Sequence, residues 1–152
     1  MTGISDAVLA DDRATAEAGA RIAPLLAPGD IVLLDGALGA GKTTLVRGLL
    51  AALGHAGEVP SPSFAIVQPY ESLSPPVWHV DLYRIGHPSE LEELGLQSIL
   101  VDGVLIVEWP ANAGPGAWPP TALALSLVVR DDATRVLTAT PGKGWEKRWP
   151  PR

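Results

Sequence analysis

A chain of 152 residues with 47% hydrophobic content is long enough for one compact domain with a real core and too short for two. The absence of cysteine excludes disulfides, iron–sulfur clusters and thiolate zinc sites, so any metal must be held by oxygen or imidazole, and it fits a reducing compartment. A net charge of −6 repels nucleic acid and phospholipid surfaces, so any work on RNA is expected to pass through a partner.

The start, Met1-Thr2-Gly3-Ile4-Ser5-Asp6, lacks the basic-then-apolar layout of a signal peptide, and no apolar run reaches the length of a membrane span. A soluble, cytosolic protein is expected. Asp11 to Ala27 carries Ala18, Ile22, Leu25 and Leu26 at helical spacing, with Pro24 as a local breaker and Pro28-Gly29 as a stop. Ile31-Val32-Leu33-Leu34 is a continuous apolar run of the kind found in strands buried on both faces. It feeds directly into Gly36. From Lys42 the residues Leu45, Leu49 and Leu53 predict a helix closed at Gly54.

Gly54 to Ser63 reads as a loop because its glycines and prolines break both regular periods. Phe64 to Tyr70 and Val77 to Leu82 read as an antiparallel hairpin inserted after the loop-bearing helix. Ser89-Glu90-Leu91-Glu92 is a capping-box pattern that starts a short helix ending at Gly95. Val104 to Val107 is a second buried-strand run. Leu123, Leu125, Leu127 and Val129 alternate toward a turn at Asp131-Asp132, before Val136 to Thr140. The expected fold is a single α/β domain over residues 1–140, a three-layer phosphate-loop arrangement with a mixed sheet. Residues 141–152 carry four of the eleven basic residues with Trp145 and Trp149, and read as an appended, flexible tail.

Gly36-Ala37-Leu38-Gly39-Ala40-Gly41-Lys42-Thr43 satisfies G-x-x-x-x-G-K-[ST] between a predicted strand and a predicted helix. Glycines in that pattern let consecutive backbone amides turn inward around phosphates, and the helix N-terminus adds its dipole. Lys42 is placed to reach the β- and γ-phosphates, and the Thr43 hydroxyl to be a magnesium ligand. A glycine turn that merely packs helix on strand is the bland alternative. It would not need strand and helix at both ends of the motif. ATP is the expected nucleotide, because guanine readout by Asn-Lys-x-Asp is missing: Asn112 is the single asparagine and Ala113 follows it.

Magnesium usually takes one or two protein carboxylates. Asp81 and Glu108 each close a predicted strand, at the carboxyl edge where open α/β sheets bind ligands. Asp81 fits the metal shell, and Glu108 either the metal or the orientation of the attacking water. The competing readings are an ion pair of Asp81 with Arg84 and a strand-end role for Glu108. His79 alternates with Asp81 on one strand face, and a lone histidine is more often structural. Trp109 suits stacking on a nucleotide or simple packing equally well. Arg84 suits a transition-state role or a salt bridge.

These motifs occur in order with Ser61-Pro62-Ser63-Phe64, His79-Val80-Asp81-Leu82-Tyr83-Arg84, Glu90-Leu91-Glu92-Glu93-Leu94-Gly95 and Val107-Glu108-Trp109-Pro110. Together, over roughly residues 10 to 140, the chain resembles the TsaE (YjeE) family of small P-loop ATPases of bacterial tRNA threonylcarbamoyladenosine synthesis at position 37. The resemblance implies action with TsaD and TsaB, nucleotide contacts at Leu38, Gly39, Ala40, Gly41, Lys42, Thr43 and Thr44, and magnesium at Thr43 with Asp81 and Glu108. It further implies base-side contacts around Asp12 and Thr15 and a switch-like role for Ser61 to Phe64. Two positions depart from the family's pattern: Ala37 stands where an acidic residue is usual, and Ser63 where threonine is common. The first removes a charge beside the phosphates.

Two other functions fit the same loop. A small-molecule kinase would need an arginine-bearing lid, and between Gly54 and Pro120 the chain has only Arg84. A nucleotide-dependent binding module that scarcely hydrolyses is kept open by Ala37.

Overall fold

The computed structural model describes residues 5–60, 67–85 and 95–151. The predicted switch segment Ser61 to Phe64 and the capping-box helix from Ser89 lie outside the described residues. The strands are β1 (Ser5–Leu9), β2 (Ile31–Gly36), β3 (Val67–Tyr70), β4 (Val77–Asp81), β5 (Val104–Glu108), β6 (Leu123–Val129) and β7 (Arg135–Thr140). The α-helices are α1 (Asp12–Ile22), α2 (Lys42–Ala52) and a single turn, α3 (Leu96–Ile99).

The seven strands form one sheet in the order β1-β7-β6-β2-β5-β4-β3. The central four, β6, β2, β5 and β4, run parallel, and β1, β7 and β3 add antiparallel edges. The mixed α/β sheet and the β3–β4 hairpin follow the sequence reading. Its central strands are buried on both sides, as the unbroken apolar runs require: all five residues of β5 are buried. On β2, Val32 and Leu34 pack beneath α1 and α2, while Ile31 joins the core on the opposite face. That second face is covered by α3, a 3-10 turn at Pro110–Ala113 and Trp118.

Local chemistry explains most boundaries. Asp11 caps α1, its carboxylate accepting from the Ala14 amide at 2.9 Å. The α-helix stops at Ile22, and Pro24 sits in a 3-10 turn that follows, because proline has no N–H for the i→i−4 ladder. The two long helices touch at backbone level. A Cβ on Gly48 would lie 1.9 Å from the Ala16 carbonyl oxygen, so only glycine admits this approach. β1 has no counterpart in the sequence reading; it pairs with β7 along the sheet edge.

The expectation of a flexible tail is corrected by the packing of residues 141–151. Trp145 is 1% exposed and its indole donates to the Thr121 carbonyl at 3.0 Å. Arg148 lies over the Trp145 ring at 3.7 Å and pairs with Asp30 at 2.6 Å. The basic residues that suggested a solvated segment are partly used to fasten it, and two tryptophans supply apolar area that water disfavours.

Candidate functional site: a phosphate loop facing two carboxylates

β2 delivers the chain to Gly36 at the carboxyl edge of the sheet, and α2 leaves from Lys42. Gly41, the residue before that helix, has φ of 105°, a left-handed conformation that costs a side-chain-bearing residue strain. The turn borders a cleft of about 530 Å³, lined by Leu38, Gly39, Gly41, Lys42, Thr43 and Thr44 from the loop and also by Asp12, Asp81 and Glu108. A larger hollow of about 810 Å³ lies on the other face beside Trp118, and among the described residues no charged side chain lines it. A hollow of about 420 Å³ against β1 and α1 is lined by Asp6, Glu17 and Arg21 but lies away from the glycine loop; in the loop cleft a buried lysine and two buried carboxylates converge.

Lys42 is 5% exposed, and its Nζ donates to the Gly36 carbonyl at 2.7 Å. The same nitrogen lies 3.9 Å from Glu108 Oε1 and 3.8 Å from the centroid of the Trp109 ring. Burial lowers the Lys42 pKa by penalising the ammonium, and the fields of Glu108, Asp81 and Asp35 oppose that shift. Asp35 precedes the glycine loop by one residue and places a carboxylate near the lysine, although Ala37 provides none.

β4 and β5 are parallel neighbours with Asp81 opposite Glu108 in register. Both side chains are buried, 6% and 4% exposed. Asp81 Oδ1 accepts from the Tyr83 amide at 2.8 Å. Its pKa is raised chiefly by burial and also by the Glu108 charge, while the Tyr83 hydrogen bond, Lys42 and His79 pull it down. Glu108 Oε2 is 2.6 Å from His79 Nε2, and the histidine is fully buried. This contact gives His79 a partner in the site that its sequence position did not reveal.

Ala40 is buried at 1% and does not line the cleft. Thr15 does not line the cleft: it is fully buried behind Gly41, with its hydroxyl donating to the Asp11 carbonyl at 3.0 Å. Of the two residues around which base-side contacts are expected, Asp12 reaches the cleft wall and Thr15 does not. Arg135, absent from the sequence reading, also lines the cleft. It pairs with Asp12 at 3.0 Å, and its Nε is buried without a hydrogen-bond partner among the described residues. Trp109 takes φ of 56° after β5 and packs 5.0 Å from Tyr83, ring centre to ring centre. Strained backbone of this sort in a non-glycine residue clusters at functional sites.

The model of the family described as threonylcarbamoyl adenosine biosynthesis protein TsaE matches residues 9–137. The chain belongs to the TsaE family. A TsaE protein of Streptomyces coelicolor is 52% identical over 96 residues, a match spanning 61% of this chain and 65% of that protein, just under two thirds of its length. The TsaE protein of Haemophilus influenzae is 38% identical, over 70% of this chain and 67% of its own. That of Nostoc is 33% identical, over 88% and 83%. Among solved structures, Bacillus subtilis YdiB superposes with a TM-score of 0.81 at 28% identity, covering 97% of this chain and 91% of YdiB. The two carboxylates and the phosphate loop thus lie within the segment matched by the TsaE family model.

Proposed function

We propose that this TsaE-family chain is a magnesium-dependent ATPase that serves threonylcarbamoyladenosine formation at position A37 of tRNA, acting in the cytoplasm with TsaD and TsaB. The observation that carries the proposal is Lys42, held at the mouth of a glycine loop between the Gly36 carbonyl and the Glu108 carboxylate. The family name supports the pathway. With a net charge of −6, the chain meets tRNA only indirectly, through its partners.

The amides from Leu38 to Thr44 wrap the phosphates, and Lys42 exchanges the Gly36 carbonyl for β- and γ-phosphate oxygens. Asp12 stands on the base side with Arg135, and Thr15 supports the loop from behind. The residues fit magnesium: Asp81 keeps one oxygen free of the Tyr83 amide, and its burial disfavours the bare carboxylate in a way that a nearby cation offsets. Thr43, Asp81 and Glu108 would hold the ion, which when bound neutralises charge on the phosphate oxygens. In this reading Glu108 serves the metal or orients the attacking water; as the water oxygen bonds to the γ-phosphorus, the bond to the β–γ bridging oxygen breaks, leaving ADP and inorganic phosphate. Lys42 steadies the negative charge throughout.

Hydrolysis by the chain alone is slow. No lid is needed for this reading, which sets it apart from a small-molecule kinase. Phosphate release measured with and without TsaD and TsaB tests the proposal: the rate rises when both are present. Equal rates in the two conditions, or phosphate appearing on a small acceptor, would overturn it.

A further inference from the structure

Among the described residues His79 is the one fully buried histidine, and its surroundings are unequal on the two sides of the ring. Nε2 lies 2.6 Å from Glu108 Oε2, whereas Nδ1 is buried and has no hydrogen-bond partner among the described residues. A proton on Nδ1 would be stranded without an acceptor, which costs folding free energy. The ring therefore carries its proton on Nε2 and donates it to Glu108. A histidine retained only to fill space would leave the same orphan nitrogen, and an apolar side chain would fill that volume without one.

Strand geometry explains why such a donor is useful. Asp81 and Glu108 are register partners, so their carboxylates project from adjacent strands onto one face. His79 lies two residues before Asp81 on the same face of β4, opposite Ile106. The Glu108 carboxylate leans back along the strand to meet it. With Oε2 tied to the imidazole, Oε1 is left on the side of Lys42, at 3.9 Å from Nζ.

We propose that His79 is a positioning residue: its Nε2–H fixes the Glu108 carboxylate so that Oε1 is the oxygen presented to the cleft. This rests on the reading of Glu108 as the carboxylate that serves the metal or the attacking water. Partners of this kind, one step behind a reacting group, typically change activity about 10- to 100-fold when removed.

The test uses the full chain with ATP and compares His79→Leu, His79→Gln, Glu108→Gln and the His79→Leu/Glu108→Gln double variant. The turnover number, KM and ATP dissociation constant are measured for each. His79→Leu loses about 10- to 100-fold in turnover number, while its ATP dissociation constant stays within about threefold of the parent, a change below 1 kcal/mol. His79→Gln, whose amide nitrogen can occupy the place of Nε2, regains most of the loss. In the Glu108→Gln background, His79→Leu has no further effect. Should His79→Leu fail to fold, His79→Asn replaces it, because that shorter amide falls short of Glu108. Parent-like turnover without the donor, no rescue by glutamine, or additional slowing on top of Glu108→Gln would each overturn the positioning role alone. A Glu108→Gln variant as fast as the parent would instead overturn the reading of Glu108, and the role of His79 with it.

Discussion

Asp81 and Glu108 stand directly opposite each other on adjacent parallel strands, yet they are held by different partners: Asp81 by the Tyr83 amide, Glu108 by His79. The arrangement keeps two buried carboxylates on one face without a hydrogen bond between them. Burial, and secondarily the Glu108 charge, raise the Asp81 pKa above 3.8, so the folded protein carries a penalty for its ionised form. At a pH above the raised value, Asp81 is charged in folded and unfolded chains alike and the penalty is fully present. Below 3.8 it is neutral in both and the penalty has gone.

Asp81→Asn therefore melts at a higher temperature than the parent protein at pH 7 in the absence of nucleotide. Asparagine keeps the oxygen that accepts from Tyr83 and removes the charge. The advantage shrinks as pH falls through the raised pKa of Asp81 and disappears below the ordinary carboxylate range. Thermal unfolding across that pH series is the check. Equal melting at pH 7, or a gap that widens toward acid, contradicts the assignment.

Gly48→Ala is expected to cost about 3 kcal/mol, at the upper end of overpacking effects, because the added methyl meets the Ala16 carbonyl oxygen at 1.9 Å. A backbone atom cannot turn aside as a side chain can. Since α2 carries Lys42 and Thr43 at its first turn, separating the helices also displaces the loop, and ATP affinity falls together with the urea midpoint. A Gly48→Ala protein with unchanged stability would mean that α1 and α2 are not in backbone contact.

Removing the indole of Trp145 tests the docked tail. Trp145→Ala should destabilise by about 3–5 kcal/mol, as for a buried aromatic truncated to alanine, whereas a residue on a loose tail would cost almost nothing. Chemical denaturation separates the two outcomes. Loss of Arg148 would be milder, because its pairing with Asp30 is partly solvated.

Legibility in the sequence followed how local each signal is. β2, the glycine loop and α2 were readable because a buried-strand run, a spaced motif and a helical stripe lie end to end between Ile31 and Leu53. The burial of β5 was readable for the same reason. β1 was not, since Ser5 to Leu9 is short and gains its stability from pairing with β7, at the other end of the chain. Arg135 reaches the cleft only because β7 begins beside the loop, a relationship that no spacing from Gly41 encodes. The partnership of His79 with Glu108 depends likewise on which strands are neighbours. The tail misled because charge is visible in a sequence, while a tryptophan's burial depends on what it lands against. Thr15 lies near the loop, but on its far side.

Calorimetric titration of ATP into Lys42→Ala, beside the parent and Glu108→Ala, shows whether the glycine loop holds the phosphates. Replacing a charge-assisted contact of this kind removes about 1.5–3 kcal/mol or more, so Lys42→Ala should bind ATP at least about 10- to 100-fold more weakly, with no measurable heat at ordinary concentrations. Glu108→Ala keeps ATP binding and loses hydrolysis. Tight ATP binding by Lys42→Ala would contradict the account, because the phosphates would then be held somewhere other than the loop from Gly36 to Thr44.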